Sequence, residues 1–174
     1  MPDINNYCME LMESANSKAP LLSWDIMCAK YNALLKDAEK YQQSLQGIKQ
    51  IARSNKWSKQ QLLEAIGNMQ QYVIVITDPH EQISFTGKGF HEMTGYTFDE
   101  AKGRNPKFLQ GAATNKNSTG QVKAQLKQNE TIEVILENYR KNGEPYLCKI
   151  IIKPIININH KLVNFIAYEQ EIAA

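Results

Sequence analysis

Cysteine and histidine most readily supply a nucleophile or a metal ligand, and this sequence has three of each. Cys8, Cys28 and Cys148 are odd in number and show no C-x-x-C spacing, which argues against a disulfide framework and against a zinc site. They read as free thiols. His80 and His160 fall beside turns and His91 in a helical stretch, none with a metal-ligand partner at useful spacing. Gly87-x-Gly89 lacks the βαβ context of a dinucleotide fingerprint, and no nucleophile, base and acid stand out together. A conventional catalytic activity, and with it an enzyme, is not expected. The nine residues Gly103-Arg104-Asn105-Pro106-Lys107-Phe108-Leu109-Gln110-Gly111 are more telling. Asn105 is a favoured helix N-cap, and Pro106 fits the first turn of a helix, where its missing N–H is not needed.

The elements that carry these residues follow from periodicity. From Trp24 to Ala52 the residues Trp24, Met27, Tyr31, Leu34, Ala38, Tyr41, Leu45, Ile48 and Ala52 recur at alternating intervals of three and four, a coiled-coil stripe about four heptads long. One helix cannot bury such a stripe alone. It becomes either a dimer seam or a face packed against the segment Ile4 to Ala15 or the following domain, and Gly47 weakens it as a seam. Ser54-Asn55-Lys56 interrupts the pattern, and Ser58 with Gln61 caps a connecting helix over Lys59 to Met69.

Strand-like sequence begins at Tyr72. Tyr72 to Thr77 and Gln82 to Thr86 read as a hairpin across Asp78-Pro79. Short helices follow at Gly89 to Thr94, Thr97 to Ala101 and Pro106 to Gln110, with a longer one from Lys116 to about Asn129. Thr131 to Arg140, Pro145 to Ile155 and Leu162 to Glu171 complete the chain as strands, separated by Asn142-Gly143 and by Asn157 to Lys161. Two strands, several helices and three strands make an α+β domain with an antiparallel sheet. The expected division is a helical region at 1–56, a connecting helix at 57–71 and the sheet domain at 72–171.

Composition narrows the partners. Twenty Lys and Arg against eighteen Asp and Glu give a formal charge of +2 with the signs interspersed, so no nucleic-acid footprint appears. The longest apolar run is about five residues, Tyr72 to Ile76, far short of the roughly 20 that cross a bilayer, and no signal pattern opens the chain. A soluble, cytoplasmic protein is expected.

Gly103 to Gly111 resembles the signature of the flavin-binding light-oxygen-voltage (LOV) branch of the PAS sensor family. The fourth position of that signature is a cysteine that bonds covalently to photoexcited flavin, and here it is Pro106. The resemblance runs from Tyr72 to Glu171: Gly89-Phe90-His91-Glu92-Met93-Thr94-Gly95-Tyr96 is similar to the segment before the signature. Glu137-Asn138-Tyr139 with Lys141-Asn142-Gly143 resembles the next strand and hairpin, and Phe165-Ile166-Ala167 the last strand. It implies a five-stranded antiparallel sheet with flanking helices.

It also implies a pocket for FMN. The ribityl contacts fall on Asn105 and Gln110, and one of two pyrimidine-edge asparagines falls on Asn138. The phosphate-binding arginines become Lys107 and Lys123, which keep the charge and lose the bidentate fork. The second pyrimidine-edge asparagine becomes Cys148, and the signalling glutamine of the last strand becomes Glu169. An ionised Glu169 would repel the ring's acceptors, whereas a buried, protonated one could donate to them. Without a thiol at Pro106 the family's covalent adduct cannot form there. PAS domains also bind haem, small acids or nothing, and a haem reading would rest on His91, a lone histidine. The implied function is a sensory protein that holds FMN non-covalently, at most photoreduces it, and signals through N-terminal helices and a homodimer to an unidentified partner. The alternative is a dimerisation or docking module with an empty pocket or another small ligand.

Overall fold

The structure is a computed structural model in which residues 23–173 are described, apart from the side chains of Ser23, Trp24, Lys116, Asn117, Gln121, Lys123 and Lys127. Cys8 and the segment Ile4 to Ala15 lie outside the described residues. The chain forms two compact units, one ending at Gln43 and one beginning at Ser44. That division falls inside helix α1, Ser23–Ser54, upstream of the expected boundary at 56.

Within the first unit the stripe of α1 is open, with Met27, Tyr31 and Leu34 46 to 68% exposed. Within the second it is closed: Ile48 and Ala52 are buried. Within the second unit the C-terminal part of the stripe packs on the sheet. Gly47 is explained by that packing, since a Cβ there would stand 2.4 Å from the Phe85 ring. It lets helix and sheet approach closely, at the cost in helix propensity noted above.

Helix α2, Lys59–Asn68, opens with the Ser58–Gln61 capping box. Strands β1, Val73–Thr77, and β2, Ile83–Thr86, form the expected hairpin. Helices α3, Phe90–Thr94, and α4, Phe98–Ala101, follow, then a 3-10 turn at Pro106–Leu109 and α5 at Lys116–Lys127. Strands β3, Ile132–Tyr139, β4, Pro145–Ile156, and β5, Leu162–Ile172, complete an antiparallel sheet of order β2-β1-β5-β4-β3. Pairing is regular except where Val163 is skipped between Asn164, opposite Ile155, and Leu162, opposite Ile156, and where Ser84 is skipped between Phe85, opposite Ile76, and Ile83, opposite Thr77. The extra residue re-aims the strand, so Ile83 joins the inner core while Phe85 meets α1.

Period-two alternation divides β5 between two environments. Asn164, Ile166 and Tyr168 turn to the outer face, beneath the segment that joins α1 to α2. There Asn164 Oδ1 accepts from Asn55 Nδ2 at 2.7 Å and from buried Trp57 Nε1 at 3.0 Å, while its Nδ2 donates to Thr77 O at 2.9 Å. Every polar atom of that buried amide is engaged. Phe165, Ala167 and Glu169 turn to the inner face. The short helices pack there through Phe90, Ala101 and Leu109 against Val75 and Ile83, and Met93 closes on Leu136, Tyr146, Cys148 and Ile150.

Candidate functional site

Between the inner face, the 3-10 turn and α5 lies a partly open cavity. Six of the eight residues expected to touch a ligand line it: Asn105, Pro106, Lys107, Gln110, Asn138 and Glu169. They come from three stretches of chain, the 3-10 turn with its caps, β3 and β5. The wall between them is apolar, built by Val75, Leu136, Ile150, Ile152, Phe165 and Ala167, with Val122 and Leu126 of α5 opposite. Strand alternation explains this wall, because each residue is the inward member of its pair.

Exposure grades along the cavity. Asn138 and Glu169 are 3 and 4% exposed, whereas the side chains of Lys107 and Glu81 are 47 and 30% exposed, which puts the mouth at the 3-10 turn. At the closed end Glu169 Oε2 is buried with no hydrogen-bond partner. Desolvation raises its carboxyl to about 7, so the neutral acid persists near neutrality. The nearby Tyr146 hydroxyl is also buried and unpaired, Asn138 offering it a contact short of hydrogen-bond geometry, and burial pushes its pKa up.

Cys148 is placed differently from the expectation. It is fully buried in the apolar cluster with Met93 and Tyr146, is absent from the cavity lining, and has its thiol pKa raised by burial. Its Sγ reaches the carbonyl of Lys149 at 3.8 Å, and the backbone of Gln170 lies beside it. Of the inward row of β4, Ile150 and Ile152 line the chamber, whereas Tyr146 and Cys148 lie in the cluster under Met93. Lys123 belongs to α5, and its side chain lies outside the described part.

At the mouth the capping expectation for Pro106 holds: Asn105 Oδ1 accepts from Lys107 N at 3.1 Å, with Pro106 in the first turn. The same amide donates through Nδ2 to Glu81 Oε2 at 3.0 Å, and Lys107 Nζ reaches that oxygen at 3.2 Å. Glu81 was not legible as a site residue. It sits in the β1–β2 turn with φ 61°, where Asp78 Oδ1 accepts from His80 N and Gln82 N at 2.8 and 2.9 Å. The Asp78-Pro79 turn signal located this loop, yet nothing local shows that it reaches the 3-10 turn. His80, His91 and His160 are exposed and none lines the cavity. Among the described residues no cluster of three metal-ligating side chains occurs.

An apolar chamber with a buried hydrogen-bonding group at one end and amides at the other suits a ring system with a polar edge and a hydroxylated tail. The orphaned Glu169 oxygen marks where that edge would find a partner. The residues present fit a flavin.

Residues 71–174 match the PAS domain family, and the chain belongs to it. Within that family it is of the light-oxygen-voltage type. It is 35% identical over 114 residues, 64% of this chain and 44% of the relative, to a blue-light photoreceptor of Listeria innocua. To phototropin-2 of Oryza sativa it is 34% identical over 116 residues, 66% of this chain and 13% of the relative. The chain thus spans less than half the length of either. A solved light-oxygen-voltage domain studied with a flavin analogue superposes with a TM-score of 0.60 at 30% identity, covering 63% of this chain and 85% of that one. The dark-state Aureochrome1 LOV structure gives 0.60 at 27% identity over 64% and 83%. This is a sensory domain of the LOV type. Among the described residues no helix is long and apolar enough to cross a membrane.

Proposed function

We propose that this domain is a blue-light sensor that holds FMN non-covalently, forms no cysteinyl adduct, and passes the change in ligand state through β5 to α1. The observation that carries this reading is the unpartnered Glu169 oxygen at the closed end of an apolar cavity with Asn138 beside it. Bound flavin supplies absorption of blue light and the capacity to accept an electron.

The chain's own residues do the rest. Val75, Ile150 and Phe165 exclude water from the ring, Asn138 holds its polar edge, and Asn105 and Gln110 orient the tail. Glu169, neutral below about pH 7, donates through its carboxyl O–H to a ring acceptor and can release that proton when the acceptor becomes more basic. Its strand neighbour Tyr168 faces the outer layer near Glu64 of α2, so a shift of Glu169 is felt beneath the helices there. In this reading the exposed Met27, Tyr31 and Leu34 stripe forms the homodimer seam, and a separate signalling protein reads the result.

Visible absorption of the purified protein tests it. A structured blue band that bleaches in blue light and recovers with oxygen supports the reading, and a thermally reversing adduct band refutes the assignment at Pro106. Absence of any visible band after incubation with FMN would instead favour a docking module. Flavin affinity should fall above pH 7 as Glu169 ionises, and Glu169→Gln should remove that pH dependence.

A further inference from the structure

We propose that Glu81 is a selectivity residue that makes the cavity accept a flavin with an uncharged ribityl tail, riboflavin, about as readily as the phosphorylated form. The inference rests on the flavin reading above and concerns the other end of the same cavity.

The mouth is where the exposed end of any ligand must lie, because Asn138 and Glu169 close the opposite end. Among the described lining side chains, Lys107 is the one cation at that mouth and Glu81 the charged group facing it. Glu81 Oε2 takes both Lys107 Nζ, at 3.2 Å, and Asn105 Nδ2, at 3.0 Å. The charge of Lys107 is thereby largely cancelled, and the amide donor of Asn105 is already used. A phosphate arriving here must displace a carboxylate from its ammonium and then remain beside that carboxylate. A hydroxyl tail meets no such opposition, since hydroxyls can donate to Glu81 and accept from Lys107.

The arrangement is held in place by the backbone. Glu81 occupies a left-handed conformation, φ 61°, that a glutamate rarely adopts, within a turn locked by Asp78. Glu81 N also donates to Asp78 O at 3.1 Å, so its side chain is directed across the gap to the 3-10 turn. Lys107 alone, freed of Glu81, would be an ordinary point-charge partner for phosphate.

The experiment is a fluorescence titration of the full-length apoprotein with riboflavin and with FMN at fixed ionic strength, repeated for Glu81→Gln and for Glu81→Asn, which suits a left-handed residue. In the parent protein the two affinities should agree to within about tenfold. Both variants should raise the ratio of FMN to riboflavin affinity at least about threefold, while the urea midpoint of the apoprotein, the control for an intact fold, stays unchanged. A parent preference for FMN beyond tenfold, or a preference indifferent to both substitutions, overturns the role of Glu81 and leaves the flavin reading standing. Binding of neither flavin overturns both.

Discussion

The two faces of the sheet are built to opposite specifications. On the outer face polar groups are paired and helix meets sheet closely: Asn164 uses both ends of its amide, Ile48 and Ala65 are fully buried, and Gly47 lets helix and ring meet. On the inner face an apolar cavity remains open and a carboxyl oxygen is left without a partner. One face is closed by the chain itself, and the other keeps a cavity. Adjacent residues of a single strand, Asn164 and Phe165 at one end and Tyr168 and Glu169 at the other, belong to the two sides.

Substitutions can break this contrast. Asn164→Ala strands Trp57 Nε1, Asn55 Nδ2 and Thr77 O together and should cost about 4 kcal/mol in urea unfolding. A loss below about 1 kcal/mol would mean that the outer face is not closed by this residue. For Glu169 the folded carboxyl lies near 7 against an ordinary value of 4.5, so the native state binds the extra proton between those values. Stability of the ligand-free protein is therefore fully present below about 4.5 and declines by about 3 kcal/mol as pH rises through 7. Glu169→Gln should flatten that profile, and an unchanged slope would assign it to another group.

A matched pair of enlargements sharpens the difference further. Ala65→Leu, in the outer layer, should cost about 2 kcal/mol, whereas Ala167→Leu, facing the cavity, should cost less than about 1 kcal/mol and abolish flavin uptake. Equal costs would show that the inner void is not available space. The smallest effect is expected at the mouth, where Lys107→Met removes a half-exposed ion pair and should shift stability by no more than about 0.5 kcal/mol.

Most of the architecture was legible because its signals are local. The Ser58–Gln61 capping box, the Asn142-Gly143 turn and the β-branched runs each fix a boundary through contacts a few residues long. The inward alternation of β5 likewise brought Glu169 into the cavity. What escaped depends on distant meetings. Glu81 becomes a site residue only because a left-handed turn reaches Asn105, 24 positions on. Asn164 becomes a hub only when Asn55 and Trp57 fold back over it. The fate of the α1 stripe was equally hidden: Leu34 and Ile48 satisfy the same periodicity, and tertiary packing alone decides which is covered. Cys148 shows the limit of position-by-position transfer, since it occupies an inward position of β4 yet lies in the cluster under Met93.

Strand β5 also sets the order in which the protein can come together. It lies between β1 and β4, so the β1–β2 and β3–β4 hairpins, each local and quick to form, share no edge until it inserts. The contacts that fasten the end of α1 wait for the same event, being separated by 107 and 109 residues from their partner on that strand. During synthesis the earlier elements must therefore emerge and remain unjoined, with the edges of β1 and β4 unpaired, until nearly the whole domain has left the ribosome.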